Sequence, residues 1–296
     1  MSYSVKDLDT ENPRWCRGCG DFGILSALKK HMVDRDLAPW ETVHVSGIGC
    51  SGRTPNYINS YGMHTLHGRA ITIATGLILT RPDLEIFVHS GDGDALSIGG
   101  NHLLHGINKN LNCTFVLFNN ELYALTKSQT SPTTRQGHAT NTQPQGTYLE
   151  PLNPIRLVLG MGASFVANTA DWLSDHMANT LEAAAEHPGF SFVHIFQRCP
   201  HYDPNAFNHK RSEWQEFLVN ESHGVPIAKR MVGKSATREH DPFDLQAAFK
   251  MAEQFKTHFG IVYRQPSKAC YDRILQQQTA ESPRKERASI LEPYVQ

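Results

Sequence analysis

Two short motifs in this chain carry residue types that could hold a metal ion beside a phosphate. Gly91-Asp92-Gly93-Asp94 comes first and Asn119-Asn120-Glu121-Leu122 follows, with residues 94 to 118 between Gly93 and Asn119. Gly91 and Gly93 let a ligand approach the backbone closely, while Asp92 and the asparagine amides offer hard oxygen donors. An oxygen set left incomplete by the protein suits Mg²⁺ shared with a diphosphate. Gly-Asp-Gly alone is an ordinary turn, so the second motif at this spacing carries the argument. A second donor set is sulfur. Cys16 and Cys19 form a Cys-x-x-Cys knuckle, and Cys50 and Cys199 each stand at an expected strand end or loop. Four thiolates suit structural zinc or a 4Fe–4S cluster. The second Cys-x-x-Cys or the histidine pair common in zinc sites is not present. Cys113 and Cys270 are expected to be packed or free thiols.

The elements that must position these motifs follow from periodicity. Residues 85–90 and 114–118 are short, apolar and β-branched or aromatic, which predicts buried strands. Between them, 95–109 has helical spacing through Leu96, Leu103, Leu104 and Ile107. The unit is therefore strand–turn–helix–strand, with both motifs at carboxyl ends of strands, where open α/β sheets bind ligands. Upstream, the pattern predicts a helix over 21–33 with Asp21 as its N-cap, and a strand over 42–46. That strand opens into Gly47-Ile48-Gly49-Cys50-Ser51-Gly52. His67-Gly68-Arg69-Ala70 then starts a helix that runs to about Leu79. Downstream come strands at 162–166 and 191–196 with a helix over 171–187 between them, then a polar, irregular stretch over 201–240, a helix over 244–256 and a polar tail from Gln276. Residues 123–146 have no periodicity, which in a compact domain points to function or disorder. The order favours an α/β fold with a parallel, doubly covered sheet. Residues 1–200 form the binding domain, and 201–296 a C-terminal extension expected to pack on a partner subunit.

Composition narrows the class. The formal net charge is −1, with 28 basic against 29 acidic residues, which argues against a nucleic-acid footprint. No apolar run is long enough to span a bilayer. The polar first thirteen residues do not resemble a secretory signal, so a cytoplasmic, reducing location is expected, where clustered cysteines bind metal more often than they pair.

The ordered set Trp15-Cys16-x-Gly18-Cys19-Gly20, Gly47-Ile48-Gly49-Cys50-Ser51, His67-Gly68-Arg69, Gly91-Asp92-Gly93-Asp94, Asn119-Asn120, Thr126-Lys127 and Ser131-Pro132-Thr133-Thr134 resembles the β subunit of 2-oxoacid:ferredoxin oxidoreductases, most closely the 2-oxoglutarate branch. The resemblance covers roughly residues 12 to 200. It implies a thiamine-diphosphate-binding fold in which Asp92, the Asn120 side chain and the Leu122 carbonyl ligate Mg²⁺, with Gly93 and Asp94 supplying backbone donors nearby. It implies that Cys16, Cys19, Cys50 and Cys199 hold one 4Fe–4S cluster close to the thiamine. Ile48 would prop the cofactor, with Gly49, Ser51, Gly68 and Gly91 lining the same site. His67 would act near the thiazolium, and Thr126 and Lys127 would reach the substrate pocket, the lysine neutralising the distal carboxylate of 2-oxoglutarate. The implied reaction is oxidative decarboxylation of 2-oxoglutarate to succinyl-CoA, reversible, with single electrons passing through the cluster to ferredoxin. The glutamate that activates thiamine would come from an α subunit, giving an αβ dimer or a dimer of αβ units. Four residues depart from the family pattern: Arg17 where proline is usual, Gly52 for serine, Ser128 for glycine and Arg198 for proline. Alternatives are an oxidoreductase for pyruvate or another 2-oxoacid, a non-redox thiamine-dependent synthase, or a non-catalytic metal-binding subunit.

Overall fold

The computed structural model of the chain describes residues 3–208, 215–227, 235–254 and 257–281. The strands are β1 (Thr42–Ser46), β2 (Tyr61–His64), β3 (Glu85–Gly91), β4 (Cys113–Asn119), β5 (Leu122–Tyr123), β6 (Gln129–Thr130), β7 (Phe165–Ala170), β8 (Phe190–Phe196), β9 (Gln215–Val219), β10 (Ala236–Glu239) and β11 (Thr257–Arg264). The helices are α1 (Asp21–Asp34), α2 (Ala70–Thr80), α3 (Gly100–Asn108), α4 (Pro154–Gly160), α5 (Ser174–Ala185), α6 (Leu245–Ala252) and α7 (Tyr271–Glu281). All strands except the β5–β6 hairpin join one sheet in the order β10-β9-β11-β7-β8-β4-β3-β1-β2. β2, β1, β3, β4, β8 and β7 are mutually parallel. β11 meets β7 antiparallel and carries β9 and β10 parallel to itself.

The central strands read as unbroken apolar runs because both faces are covered. Successive side chains point to opposite faces. Phe115 and Leu117 of β4 therefore join one core with α2, α3, α4 and α6, while Val116 and Phe118 join the other with α1 and α5. This is the doubly covered α/β sheet expected from the sequence.

Four parallel neighbours, β8-β4-β3-β1, present their carboxyl ends side by side. The loop bearing Cys199, the Asn119-Asn120 turn, the Gly91-Asp92 turn and the Gly47–Gly52 loop thus stand in a row. Chain topology, not sequence proximity, assembles the site.

Several elements differ from the sequence reading. Gly20, not Asp21, occupies the N-cap of α1, and Asp21 is its first, fully buried residue. The expected 95–109 helix is split: residues Asp94–Ile98 form a π-helical turn, and α3 begins after Gly99. The stretch expected to be irregular contributes β9 and β10, so the described residues beyond 200 widen the same sheet. The tail beyond residue 281, expected to be polar, lies outside the described residues.

Buried histidines are prominent. His44 and His89 stack on adjacent strands, Nδ1 to Nε2 at 2.8 Å. Burial holds His44 well below the usual imidazole range, His89 down to about 3, and His176 and His187 down to about 4. These groups stay neutral in the folded chain but charge when unfolded, so stability falls as pH drops below 6.5. Burial raises Asp21 to about 7 and Asp92 to about 6, and these two oppose the trend because the folded chain keeps their protons. With His240 also lowered and Asp272 also raised by burial, five histidines against three aspartates leave a net of about two protons, each worth about 1.4 kcal/mol per pH unit. Urea unfolding of the cofactor-free chain at pH 7.5 and 5.5 should show a clearly lower midpoint at 5.5; equal midpoints would contradict this balance.

Candidate active site

Two cavities meet at the carboxyl edge. The first, about 90 Å³, is lined by Ile48, Gly49, Ser51, His67, Gly91–Asp94, Leu122 and Thr126, among others. The second, about 100 Å³, is lined by Cys16, Cys19, Cys50 and Cys199. Cys50, Asn120, Ala124, Leu125 and Gln197 line both, so the cavities share a wall. A larger cavity of about 350 Å³ lies between β7, β8, β11 and the α4 and α6 helices, but Asp92, Asn120 and the four cysteines do not line it. Size alone would select that one; the chemistry selects the adjoining pair.

Asp92 is 1% exposed, and burial pushes its carboxyl up to about 6 against lowering hydrogen bonds from Ser131, Thr133 and backbone N–H groups. The Thr133 hydroxyl lies 2.7 Å from Asp92 Oδ2 and 2.9 Å from Asn119 Oδ1. It has one proton to give, and the carboxylate is the stronger acceptor. Asn120 Oδ1 accepts from the Leu122 N–H at 3.0 Å, which fixes that amide with its oxygen toward the turn. Glu121 between them is left-handed, φ 63°.

Asp94 does more than supply a backbone donor. Its Oδ1 accepts from Ile48 N at 3.2 Å, from Gly68 N at 2.7 Å and from His67 Nδ1, and its Oδ2 from the Ser90 hydroxyl. One buried carboxylate therefore ties together the Gly47–Gly52 loop, the His67-Gly68 turn and the end of β3. Because a carboxylate only accepts, His67 Nδ1 carries a proton, and Nε2 is left for the cavity the ring lines.

The glycines divide by cause. A Cβ on Gly93 would meet the Tyr123 ring at 2.4 Å, and one on Gly68 would meet Gly99 N at 2.6 Å, so both are small because the chain packs against them. Gly68 does not line the first cavity. At Gly91 a Cβ makes only ordinary contact with Ser51 Oγ at 3.5 Å, and at Gly49 (φ 130°) it meets nothing within 4 Å. Those two leave room that a bound group can fill. Gly52, where the family pattern favours serine, sits 2.5 Å from the Gly47 carbonyl by the same measure.

Thr126 lines the cavity, whereas Lys127 does not. Lys127 and Ser128 are consecutive left-handed residues, φ 75° and 71°, at the tip of the β5–β6 hairpin. Glycine, usual at 128 in the family, carries no penalty in this conformation.

Three contributors escaped the sequence reading. Tyr123 donates its hydroxyl to the Gly93 carbonyl at 3.0 Å, pinning the Gly91–Asp94 turn from the hairpin. Tyr123→Phe should weaken binding of a diphosphate ligand such as thiamine diphosphate about tenfold or less, since one neutral hydrogen bond is worth about 1 kcal/mol; titration calorimetry would read it, and a hundredfold loss would refute so modest a role. Asp171 accepts from Arg198 N at 2.8 Å and Arg198 Nε at 2.7 Å, which gives the departing Arg198 a structural task. A Cβ on Gly20 would overlap Asp171 Oδ2, so this clamp seats the Cys199 loop directly on the Cys16–Cys19 knuckle. Gln197 is the third, donating to Cys19 Sγ at 3.4 Å and accepting from Asn120 Nδ2 at 2.8 Å.

All six cysteines are free. Burial pushes the Cys50 thiol up to about 12 and raises Cys19 and Cys199 as well, with the neighbouring cysteines adding to each shift. Among the described residues no three His, Cys, Asp or Glu side chains converge on a single-ion site; the four thiols are spread around a cavity instead.

The chain matches the family described as thiamine pyrophosphate enzyme, C-terminal TPP binding domain, over residues 47–195. It is 38% identical to 2-oxoacid:ferredoxin oxidoreductase 1, subunit beta, of Aeropyrum pernix over 89% of this chain and 81% of that one. This chain belongs to the 2-oxoacid:ferredoxin oxidoreductase β-subunit family. Another family member, 2-oxoglutarate oxidoreductase subunit KorB of Mycobacterium tuberculosis, is 46% identical over 72% of this chain, an alignment that spans 58% of the relative's length. Among solved structures, the 2-oxoglutarate:ferredoxin oxidoreductase of Magnetococcus marinus, with 2-oxoglutarate, coenzyme A and succinyl-CoA bound, superposes with a TM-score of 0.87 at 34% identity, covering 99% of this chain and 96% of that one. Among the described residues of this family member, no helix is long and apolar enough to cross a membrane.

Proposed function

We propose that this chain is the β subunit of a cytoplasmic 2-oxoglutarate:ferredoxin oxidoreductase, converting 2-oxoglutarate and coenzyme A to succinyl-CoA and CO₂ while two electrons leave singly for ferredoxin. The observation that carries this reading is the shared wall between a cavity bearing Asp92 and Asn120 and a cavity bearing four cysteines. When bound, thiamine diphosphate supplies the electron sink for decarboxylation and a 4Fe–4S cluster takes up electrons one at a time.

The residues fit those groups. Asp92, Asn120 Oδ1 and the Leu122 carbonyl would hold Mg²⁺, whose charge a buried carboxylate raised to about 6 would favour. Gly49 and Gly91 leave the space. Cys16, Cys19, Cys50 and Cys199 would hold the cluster; four thiols spread around a cavity suit four irons better than one zinc, which draws all four sulfurs to about 2.3 Å. His67, oriented by Asp94, would offer Nε2 to the reacting groups. Lys127 would serve the distal carboxylate of 2-oxoglutarate as a point charge; it does not line the cavity, so this role rests on the family resemblance.

The α subunit would contribute the glutamate that activates thiamine. Exposed Tyr61, Met63, Leu66, Ile98 and Leu125 are consistent with such a partner, because apolar exposure of this kind marks interaction surfaces. β2 is an open edge strand with all four residues exposed, and edges of this sort are normally covered. The region beyond residue 200 would add contact area.

The test is anaerobic co-purification with the α subunit, followed by visible spectroscopy. A broad iron–sulfur band bleached by 2-oxoglutarate plus coenzyme A, and less by pyruvate, is the expected result. A colourless, zinc-containing complex would overturn the reading.

A further inference from the structure

Gln197 is 1% exposed, lines both cavities and ends at neither. Its amide stands between a residue of the diphosphate motif and a residue of the cysteine knuckle. The direction of the intervening hydrogen bonds is set by a group that cannot flip. The Leu122 backbone N–H can only donate, so the Asn120 oxygen must face it, at 3.0 Å. Asn120 Nδ2 is then the donor to Gln197 Oε1, at 2.8 Å. Gln197 Nε2 is left to donate, one hydrogen to Cys19 Sγ at 3.4 Å and one to the Arg198 carbonyl at 2.6 Å. Reversing either amide would place donor against donor. Backbone pairing of Gln197 N with the Asn119 carbonyl, 2.9 Å, keeps the side chain in register with the motif.

We propose that Gln197 is a positioning residue that couples occupancy of the diphosphate site to the reduction potential of the iron–sulfur cluster; this rests on the function proposed above.

The sign follows from the polarity of the relay. A hydrogen bond to a cluster thiolate stabilises negative charge on sulfur, which favours the reduced cluster and raises its potential. A cation on Asn120 Oδ1 withdraws electron density from that amide and makes Nδ2–H a stronger donor. Gln197 is polarised in turn, and Nε2–H donates more strongly to Cys19, as linked hydrogen bonds reinforce each other in a low-dielectric interior. The cluster accepts electrons more readily when the Mg²⁺–diphosphate is in place, so reduction is favoured in the loaded site.

The experiment is an anaerobic redox titration of the intact αβ complex, read by electron paramagnetic resonance of the cluster, with Mg²⁺–thiamine diphosphate bound and after its removal. In the unaltered protein the potential should be higher with the cofactor bound. In Gln197→Leu it should fall by about tenfold in the one-electron equilibrium, about 59 mV, and the cofactor-dependent difference should vanish. Equal potentials in the two proteins, or a cofactor effect that persists in Gln197→Leu, overturn the coupling. Should Gln197→Leu lose iron, Gln197→Glu keeps the acceptor for Asn120 and removes the donor to Cys19. The new charge shifts the potential in both states, so the readout is the difference between the cofactor-bound and cofactor-free potentials: its loss supports the relay, and its persistence overturns it. An unaltered complex without a four-iron signal overturns the functional reading and the coupling together, whereas a cluster and thiamine both present with no potential change overturns the coupling alone.

Discussion

Asp92→Asn should make the cofactor-free chain more stable at pH 8 while weakening Mg²⁺–thiamine diphosphate binding at least hundredfold. The carboxylate is buried, its hydrogen bonds come from Ser131, Thr133 and backbone groups, and no lysine or arginine contributes to its shift. A buried charge without a counter-charge is a cost. Its folded value of about 6 lies above the usual 3.8, so folding takes up a proton between those values. The associated penalty is absent below pH 3.8, grows through the window and is complete above 6. A two-unit shift corresponds to roughly 3 kcal/mol, an upper bound because the amide hydrogen-bonds less well. Bound Mg²⁺ reverses the account, since it supplies the charge that Asp92 lacks. Saturation at a hundred times Kd stabilises the native protein by about 2.7 kcal/mol, and the variant should gain almost none of this. Thermal melts at pH 8 and pH 5, with and without cofactor, read both effects. A variant less stable than the parent without cofactor at pH 8 would contradict the cost assigned to the buried charge, and one that retains the cofactor shift would contradict the assignment of Asp92 as metal ligand.

The two motifs were legible because they use residues that ordinary strand ends do not need in combination. Glycine, aspartate, asparagine and cysteine announce themselves, and the intervening apolar runs place them at carboxyl ends of neighbouring strands. The supporting residues were hidden for a physical reason. Tyr123, Asp171 and Gln197 act across 27 to 178 residues of chain, counting from Asp171 to Arg198 and from Cys19 to Gln197, and nothing in their local sequence encodes those partners. The same holds for Asp94, whose carboxylate joins three segments.

Fold detail was lost where burial is one-sided or broken. β9 is only partly buried and β10 is fully exposed, so neither shows the apolar run that revealed β3 and β4. β11 is almost wholly buried, but Gly260 at φ 130° and the register shift between Ile261 and Tyr263 interrupt its pattern. At α1, the close approach of Asp171 demands glycine at the N-cap and overrides the capping preference that pointed to Asp21.

Cys50→Ala and Cys199→Ala should each abolish the visible iron–sulfur band, with iron falling from about four atoms per chain to below about one. Cys113→Ala and Cys270→Ala should keep both. The contrast rests on position. Cys50 and Cys199 line the second cavity. Cys113 opens β4 while Asn119 closes it, and six residues of strand at about 3.3 Å each separate the two ends by about 20 Å. Cys270 accepts from Asn110 at 3.5 Å, just before β4 begins, so it belongs to that distant end as well. Without metal, burial holds Cys50 and Cys199 as neutral thiols; a cluster would deprotonate its ligands outright. Replacing either leaves an iron without its anchor, whereas Cys113→Ala removes a packed sulfur at about 1 kcal/mol. Iron and zinc analysis beside the spectrum distinguishes the outcomes. Full iron in Cys199→Ala would remove that residue from the ligand set, and one zinc per chain in the parent would replace the cluster with a structural metal and leave electron transfer without a carrier in this subunit.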